Sequence, residues 1–128
     1  MNKILAECIK KLAEIKGRLL DINSDDDRSD GLNCANSLIR QSIDTRISLI
    51  KEIYGVPEPG ESHTDAEYAL YCLEFTESLY EVFKEHFDEA KDTPFDRGYK
   101  SQITVFLKML APLQEWLKRT SIKNIYES

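Results

Sequence analysis

The chain has 128 residues and a mass of 14.8 kDa, which suits one domain built around one core. Hydrophobic residues make up 41% of it and charged residues 31%, a composition that excludes disordered, collagenous and membrane-spanning classes. The 17 basic and 23 acidic residues give a net charge of −6, which argues against direct binding of nucleic acid or of an anionic membrane.

Cysteine usage and the first residues point to a compartment. Cys8, Cys34 and Cys72 are an odd number of cysteines without a C-x-x-C pair, which is typical of reduced thiols in a cytosol. Glu7 and Lys10 interrupt the apolar centre that a signal peptide needs. No apolar run approaches the roughly 20 residues that cross a bilayer. We therefore expect a cytoplasmic protein.

Apolar residues at alternating steps of three and four predict a first helix over residues 2–22. They are Leu5, Cys8, Leu12, Ile15, Leu19 and Ile22. The polar and acidic residues 24–30 follow, and their composition fits either a loop or the first turn of the next helix.

A second apolar series predicts a helix over residues 31–54. Its members are Leu32, Ala35, Ile39, Ile43, Ile47, Ile50 and Tyr54. Gly55 is a plausible end for this helix. Residues 56–62 hold two prolines and a glycine, and such a short connection does not argue for a second domain.

A third helix is predicted over residues 64–91, because Thr64 and Glu67 match a capping box. A fourth is predicted over residues 94–120, where Pro94 suits the first helical position and Gly98 weakens the first turn.

The apolar spacing of the fourth helix continues through Pro112. We therefore expect one helix with a kink there, and a break at Ala111 is the alternative. Residues 121–128 could extend this helix or dock separately. Four helices with short links predict an all-α, up-down-up-down four-helix bundle forming a single domain over residues 1–128.

No motif predicts catalysis, a cofactor or a metal site. With Gly31 in the sixth position of a calcium loop, Arg28 and Ser37 stand where two ligands are needed. Cys72 and His86 would lie about 21 Å apart along one helix, too far for a catalytic pair. The potential zinc ligands are scattered singly along the chain: Cys8, Cys34, His63, Cys72 and His86. We expect a protein that is not an enzyme.

The strongest pattern is acidic. Residues 61–92 carry ten acids and two lysines, a net charge of −8. At 100° per residue most of these acids fall within an arc of about 120°, opposite the apolar face. Glu77, Glu81 and Glu85 form successive pairs of like charges one turn apart. Each pair costs about 0.2–0.5 kcal/mol of helix stability, so stability does not favour the pattern.

We call this predicted partner-binding set the acidic stripe. It comprises Glu67, Leu70, Tyr71, Glu74, Glu77, Glu81, Glu85 and Asp88. Leu70 and Tyr71 would supply apolar anchors among the carboxylates. By contrast, residues 1–20 sum to +3 and residues 97–128 to +4. These basic ends could neutralise part of the stripe, within the bundle or across a dimer.

The leading hypothesis is a non-enzymatic protein whose acidic stripe, with help from the acidic residues 24–30, covers a basic partner. A nuclease or another nucleic-acid-binding protein is the natural target. In size, acidity and helical content the chain resembles bacterial toxin-immunity proteins and phage-encoded inhibitors, without a shared motif. The alternative is a structural module that homodimerises or scaffolds a complex through the first helix or the Trp116 region. In that case the acids only keep the protein solvated.

Overall fold

The structure is a computed structural model that describes residues 1–56, 60 and 63–127, with side chains as far as Ile122. Within these residues the regular structure consists of four helices: α1 (Lys3–Arg18), α2 (Asp27–Tyr54), α3 (Asp65–Glu89) and α4 (Pro94–Glu127). The predicted all-α class is confirmed, while the up-down-up-down order stays a prediction.

The first helix ends four residues before the predicted position. α1 stops at Arg18, and Leu19 adopts an extended conformation with φ −79° and ψ 111°. Leu19 is still buried, so the apolar spacing continues after the helix has ended. Ile22 is 44% exposed and lies outside the helix.

Residues 19–26, the α1–α2 connection, lie along one face of α2. Asn33 donates to and accepts from the main chain of Ile22, both at 2.8 Å. Asn36 and Arg40 donate to the two carbonyls at the start of the connection, at 3.1 and 2.7 Å. Because these side chains recur at steps of three and four, they lie on one face of α2 and anchor the connection there.

Residues 24–30, whose composition fits either a loop or the first turn of the next helix, contain both: the helix begins directly after Asp26. The side chain of Asp26 accepts from the N–H of Ser29 at 2.7 Å and caps α2, so residues 27–30 form the first turn. Residues 24–26 precede the helix. α2 ends at Tyr54, as predicted.

The later helix starts follow their capping signals. The capping box between Thr64 and Glu67 is present, and α3 ends at Glu89, two residues before the prediction. α4 begins at Pro94. The hydroxyl of Thr93 accepts from the N–H two residues after that proline, at 3.1 Å.

α4 is one continuous helix through Pro112 to Glu127. The alternative break at Ala111 is therefore wrong, and the tail extends the helix instead of docking separately as far as residue 127. Residue 128 lies outside the described residues. The kink at Pro112 stays a prediction.

α4 packs most extensively against α2 and α3, and α1 contacts all three other helices. The rings of Phe83 and Phe106 meet edge to face in the core, with centroids 5.3 Å apart. Leu5, Leu12 and Ile39 are fully buried with them. The apolar residues of α1 thus face the interior of the protein.

Two glycines bring the first turns of α2 and α4 into backbone contact. A Cβ at Gly31 would lie 1.8 Å from the carbonyl oxygen of Phe95, and one at Gly98 would lie 1.9 Å from that of Arg28. No side chain larger than hydrogen fits at either position. The sequence alone predicted only that Gly98 weakens the first turn of this helix.

A buried amide pair lies beside this crossing. The side chain of Gln102 donates to Asn36 at 2.6 Å, and Asn36 donates to Asp21 at 3.0 Å. Asn36 is 0% and Gln102 8% exposed. Burial of amides is tolerated because each has a hydrogen-bond partner.

Candidate functional site

The centre of the acidic stripe lies on the solvent-facing side of α3. Glu74, Glu77, Glu81 and Glu85 are all exposed. None of the four makes an ion pair with any residue that the structure describes. They therefore form a row of uncompensated carboxylates along about three turns of helix.

The C-terminal end of the stripe is partly neutralised by its own helix. Lys84 pairs with Asp88 at 3.0 Å, one turn away. The same ammonium lies 5.3 Å from the centroid of the Phe87 ring. Asp88 is thus less free to bind a partner than the four carboxylates before it.

The N-terminal end of the stripe serves the fold. Glu67 accepts from the N–H of Thr64 at 3.1 Å, and its own N–H donates back to the threonine hydroxyl. These bonds, with the His63 ring 3.4 Å away, hold the pKa of the Glu67 carboxyl below its usual value. The carboxylate of Glu67 therefore caps the N-terminus of α3.

The two predicted apolar anchors differ in their surroundings. Leu70 is 44% exposed beside the carboxylates. Tyr71 is half-buried and stacks on Tyr54, with centroids 4.6 Å apart and the ring planes within 4° of parallel. Tyr68 and Phe75 meet Tyr54 edge-on in the same cluster. Leu70 is the anchor that projects with the acids, whereas Tyr71 packs α3 against the end of α2.

Two cations of α1 pair with acids outside the centre of the stripe. Lys3 binds Asp65 at 3.4 Å, before the stripe, and Lys16 binds Asp44 on α2 at 2.9 Å. The cation of α2 that reaches α3 is Arg46, which donates to Ser78 at 3.0 Å. Burial lowers the pKa of this guanidinium. Neutralisation of the central carboxylates within the bundle is not found among the described residues.

Possible catalytic side chains form hydrogen bonds with side chains of other helices. A hydrogen bond with Cys72, together with burial, raises the pKa of the Cys8 thiol well above its usual value. A protonated thiol is a poor nucleophile and a poor metal ligand. His86 shares a hydrogen bond with the hydroxyl of Tyr99 at 3.2 Å, and burial raises the pKa of that hydroxyl. Among the described side chains, no three His, Cys, Asp or Glu residues are grouped to hold a metal ion.

No protein-family model matches the chain, and comparison with curated proteins and with solved structures gives no match either. None of the described helices has the length and apolar character needed to cross a membrane. The feature that distinguishes this surface is the row Glu74, Glu77, Glu81 and Glu85 on α3.

Proposed function

We propose that the protein is a non-enzymatic binding protein that covers a basic surface of another protein with the centre of its acidic stripe. The observation that carries this proposal is the row of four exposed carboxylates without an ion pair in the described part of the chain. Their mutual repulsion weakens the helix. A basic partner would relieve that repulsion.

A nucleic-acid-binding protein is the best-fitting partner class. Glu74 and Glu85 are eleven residues apart, about 17 Å along the helix. A phosphate-binding groove presents lysines and arginines in such a row, since it must contact successive phosphates. Carboxylates on the stripe would steer the encounter and fix its register. Occupancy of the groove would then block a nuclease, in the manner of a toxin-immunity protein or a phage-encoded inhibitor.

The roles within the stripe are unequal. We assign partner contact to the four central carboxylates and to Leu70, which offers an apolar contact at their N-terminal end. Glu67 and Tyr71 support the surface from within the fold, and Asp88 contributes only when it leaves Lys84. In this proposal the helices form an up-down-up-down bundle, kinked at Pro112, in a single cytoplasmic domain.

The alternative function, a homodimer or scaffold joined through apolar surfaces, has less support. Its first candidate surface, the apolar face of α1, is buried within the protein, as Leu5 and Leu12 at 0% exposure show. Its second, Trp116, is half-buried with the ammonium of Lys11 5.5 Å from the ring centroid.

The test is a pull-down from a lysate of the organism of origin, first at low and then at raised salt. We expect a basic nuclease or nucleic-acid-binding protein to be retained at low salt and released as salt screens the contact. A variant with all four central glutamates replaced by glutamine should not retain it. A control with the same change of charge neutralises four exposed acids outside both the stripe and residues 24–30, namely Glu14, Asp44, Glu52 and Glu115. Equal retention by both variants would refute the proposal.

A further inference from the structure

A groove of about 510 Å³ runs between α1 and α4. Ile15, Met109 and Leu113 line its apolar part. Lys11, Arg18 and Lys108 line it with cations. Because these helices are far apart in the chain, no local sequence pattern marks the groove.

The groove is cationic although the whole protein is acidic. Glu14 is the one carboxylate among its described lining residues. Arg18 and Lys108 are exposed and make no ion pair with a described residue. Lys11 pairs with Glu7 on its own helix at 3.6 Å and lies 5.5 Å from the centroid of the Trp116 ring. An apolar floor beneath three cations, two of which have no ion pair with a described residue, favours a ligand that is both apolar and acidic.

The acidic stripe has that chemistry and a matching spacing. Lys11 and Arg18 are seven residues apart on α1, and Glu74 and Glu81 are seven residues apart on α3. Both pairs are therefore separated by about 10 Å along their helices. Leu70, exposed one turn before Glu74, offers an apolar side chain for the floor of the groove.

We propose that the α1–α4 groove docks the acidic stripe of a second copy of this chain. Carboxylates of one copy pair with the cations of the other, and Leu70 enters the apolar part. This goes beyond the proposed function, because the self-contact covers the surface offered to a basic partner. A foreign partner would have to displace the second copy.

The experiment is sedimentation equilibrium of the full chain with two charge-reversed variants. The groove variant carries Arg18→Glu and Lys108→Glu, and the stripe variant carries Glu74→Lys and Glu81→Lys. All four positions are exposed, so the fold should tolerate the changes. A control with Lys51→Glu and Lys91→Glu reverses two exposed lysines outside the groove.

We expect the unmodified chain and the control to associate at low salt, and to do so more weakly at about 500 mM salt. Each reversed variant alone should associate at least about tenfold more weakly, because like charges then face each other. An equimolar mixture of the two variants should regain association, since the stripe of one still matches the groove of the other.

Three results would overturn the proposal. The first is that the unmodified chain has a mass of 14.8 kDa at all concentrations. The second is that the groove variant associates as strongly as the control. The third is that the mixture of the two variants does not regain association. The groove variant also separates this proposal from the proposed function. Its stripe is intact, so it should still bind a basic partner after it has lost self-association.

Discussion

Replacing Gly31 or Gly98 with alanine should destabilise the protein, although alanine is the better helix former. Both glycines are inside helices, where alanine gains about 1 kcal/mol of intrinsic helix stability. Each Cβ, however, would lie under 2 Å from a backbone oxygen of the other helix, at 1.8 and 1.9 Å. The outcome depends on which of these two effects is larger.

The crossing must open to accept a methyl group. An ordinary carbon–oxygen contact is about 3.3 Å, so α2 and α4 have to separate by about 1.5 Å at Gly31. The obstacle is backbone, which cannot rotate away as a flexible side chain would. Overpacking of this kind costs about 3 kcal/mol or more, and the helix gain offsets about 1 kcal/mol of that. We expect a net loss of about 2 kcal/mol, which lowers Tm by on the order of 8 °C.

Urea unfolding followed by far-UV circular dichroism measures this loss as a change of midpoint at constant slope. Gly17 is the matched control, since it lies in α1 and a Cβ there would meet nothing within 4 Å. Gly17→Ala should stabilise the protein by about 0.5–1 kcal/mol. The double variant at Gly31 and Gly98 should lose less than the sum of the single losses, because one displacement of the helices relieves both contacts. If all three single variants are stabilised equally, the backbone contact is absent and the reasoning fails.

Three further outcomes follow from single contacts. Asn36→Ala should cost about 1–3 kcal/mol, because the Gln102 amide loses its buried acceptor; an unchanged urea midpoint would contradict this. Hydrogen bonds from Asn36 and Arg40 lower the pKa of Asp21. The Asp21 carboxylate therefore stabilises the fold fully above the unfolded pKa of about 3.9, and this stabilisation is lost as pH falls through the lower folded pKa. In Asp21→Asn the urea midpoint should fall less between about pH 5 and about pH 2 than it does in the unmodified protein. An equally steep fall in both proteins would refute this. Glu81→Gln removes a like charge from both neighbouring turns and should stabilise the protein by about 0.4–1 kcal/mol. That gain should shrink with added salt, and a loss of stability would reveal a cation paired with Glu81.

The sequence predicted those features that depend on neighbours along the chain. The capping box at Thr64 follows from local hydrogen bonds. The end of α2 at Tyr54 was predicted from Gly55, although this glycine keeps a right-handed helical backbone, with φ −68° and ψ −34°. The end of α1 was missed because Leu19 keeps the apolar spacing while its backbone leaves the helix. That departure is set by side chains of α2, such as Arg40, which bonds the Leu19 carbonyl across 21 positions.

The candidate site also contains features that the sequence predicts and features that depend on tertiary packing. Charge periodicity on one helix was enough to identify Glu77 and Glu81 as an exposed row. It could not show that Tyr71 stacks on Tyr54, because that contact requires α2 and α3 to meet. Nor could it predict that Arg18 and Lys108 line one groove, since their proximity depends on tertiary packing.

The contact between α2 and α4 also has a consequence for the order of folding. Asn36 and Gln102 are 66 positions apart, whereas His86 and Tyr99, which join α3 to α4, are 13 apart. Closing the longer loop first costs about 1.4 kcal/mol more in chain entropy. We therefore expect the contact between α3 and α4 to form early and α2 to dock on these two helices late. In stopped-flow measurements, Gly98→Ala should then speed unfolding and leave refolding nearly unchanged, and a slowed refolding rate would place the crossing in the folding nucleus instead.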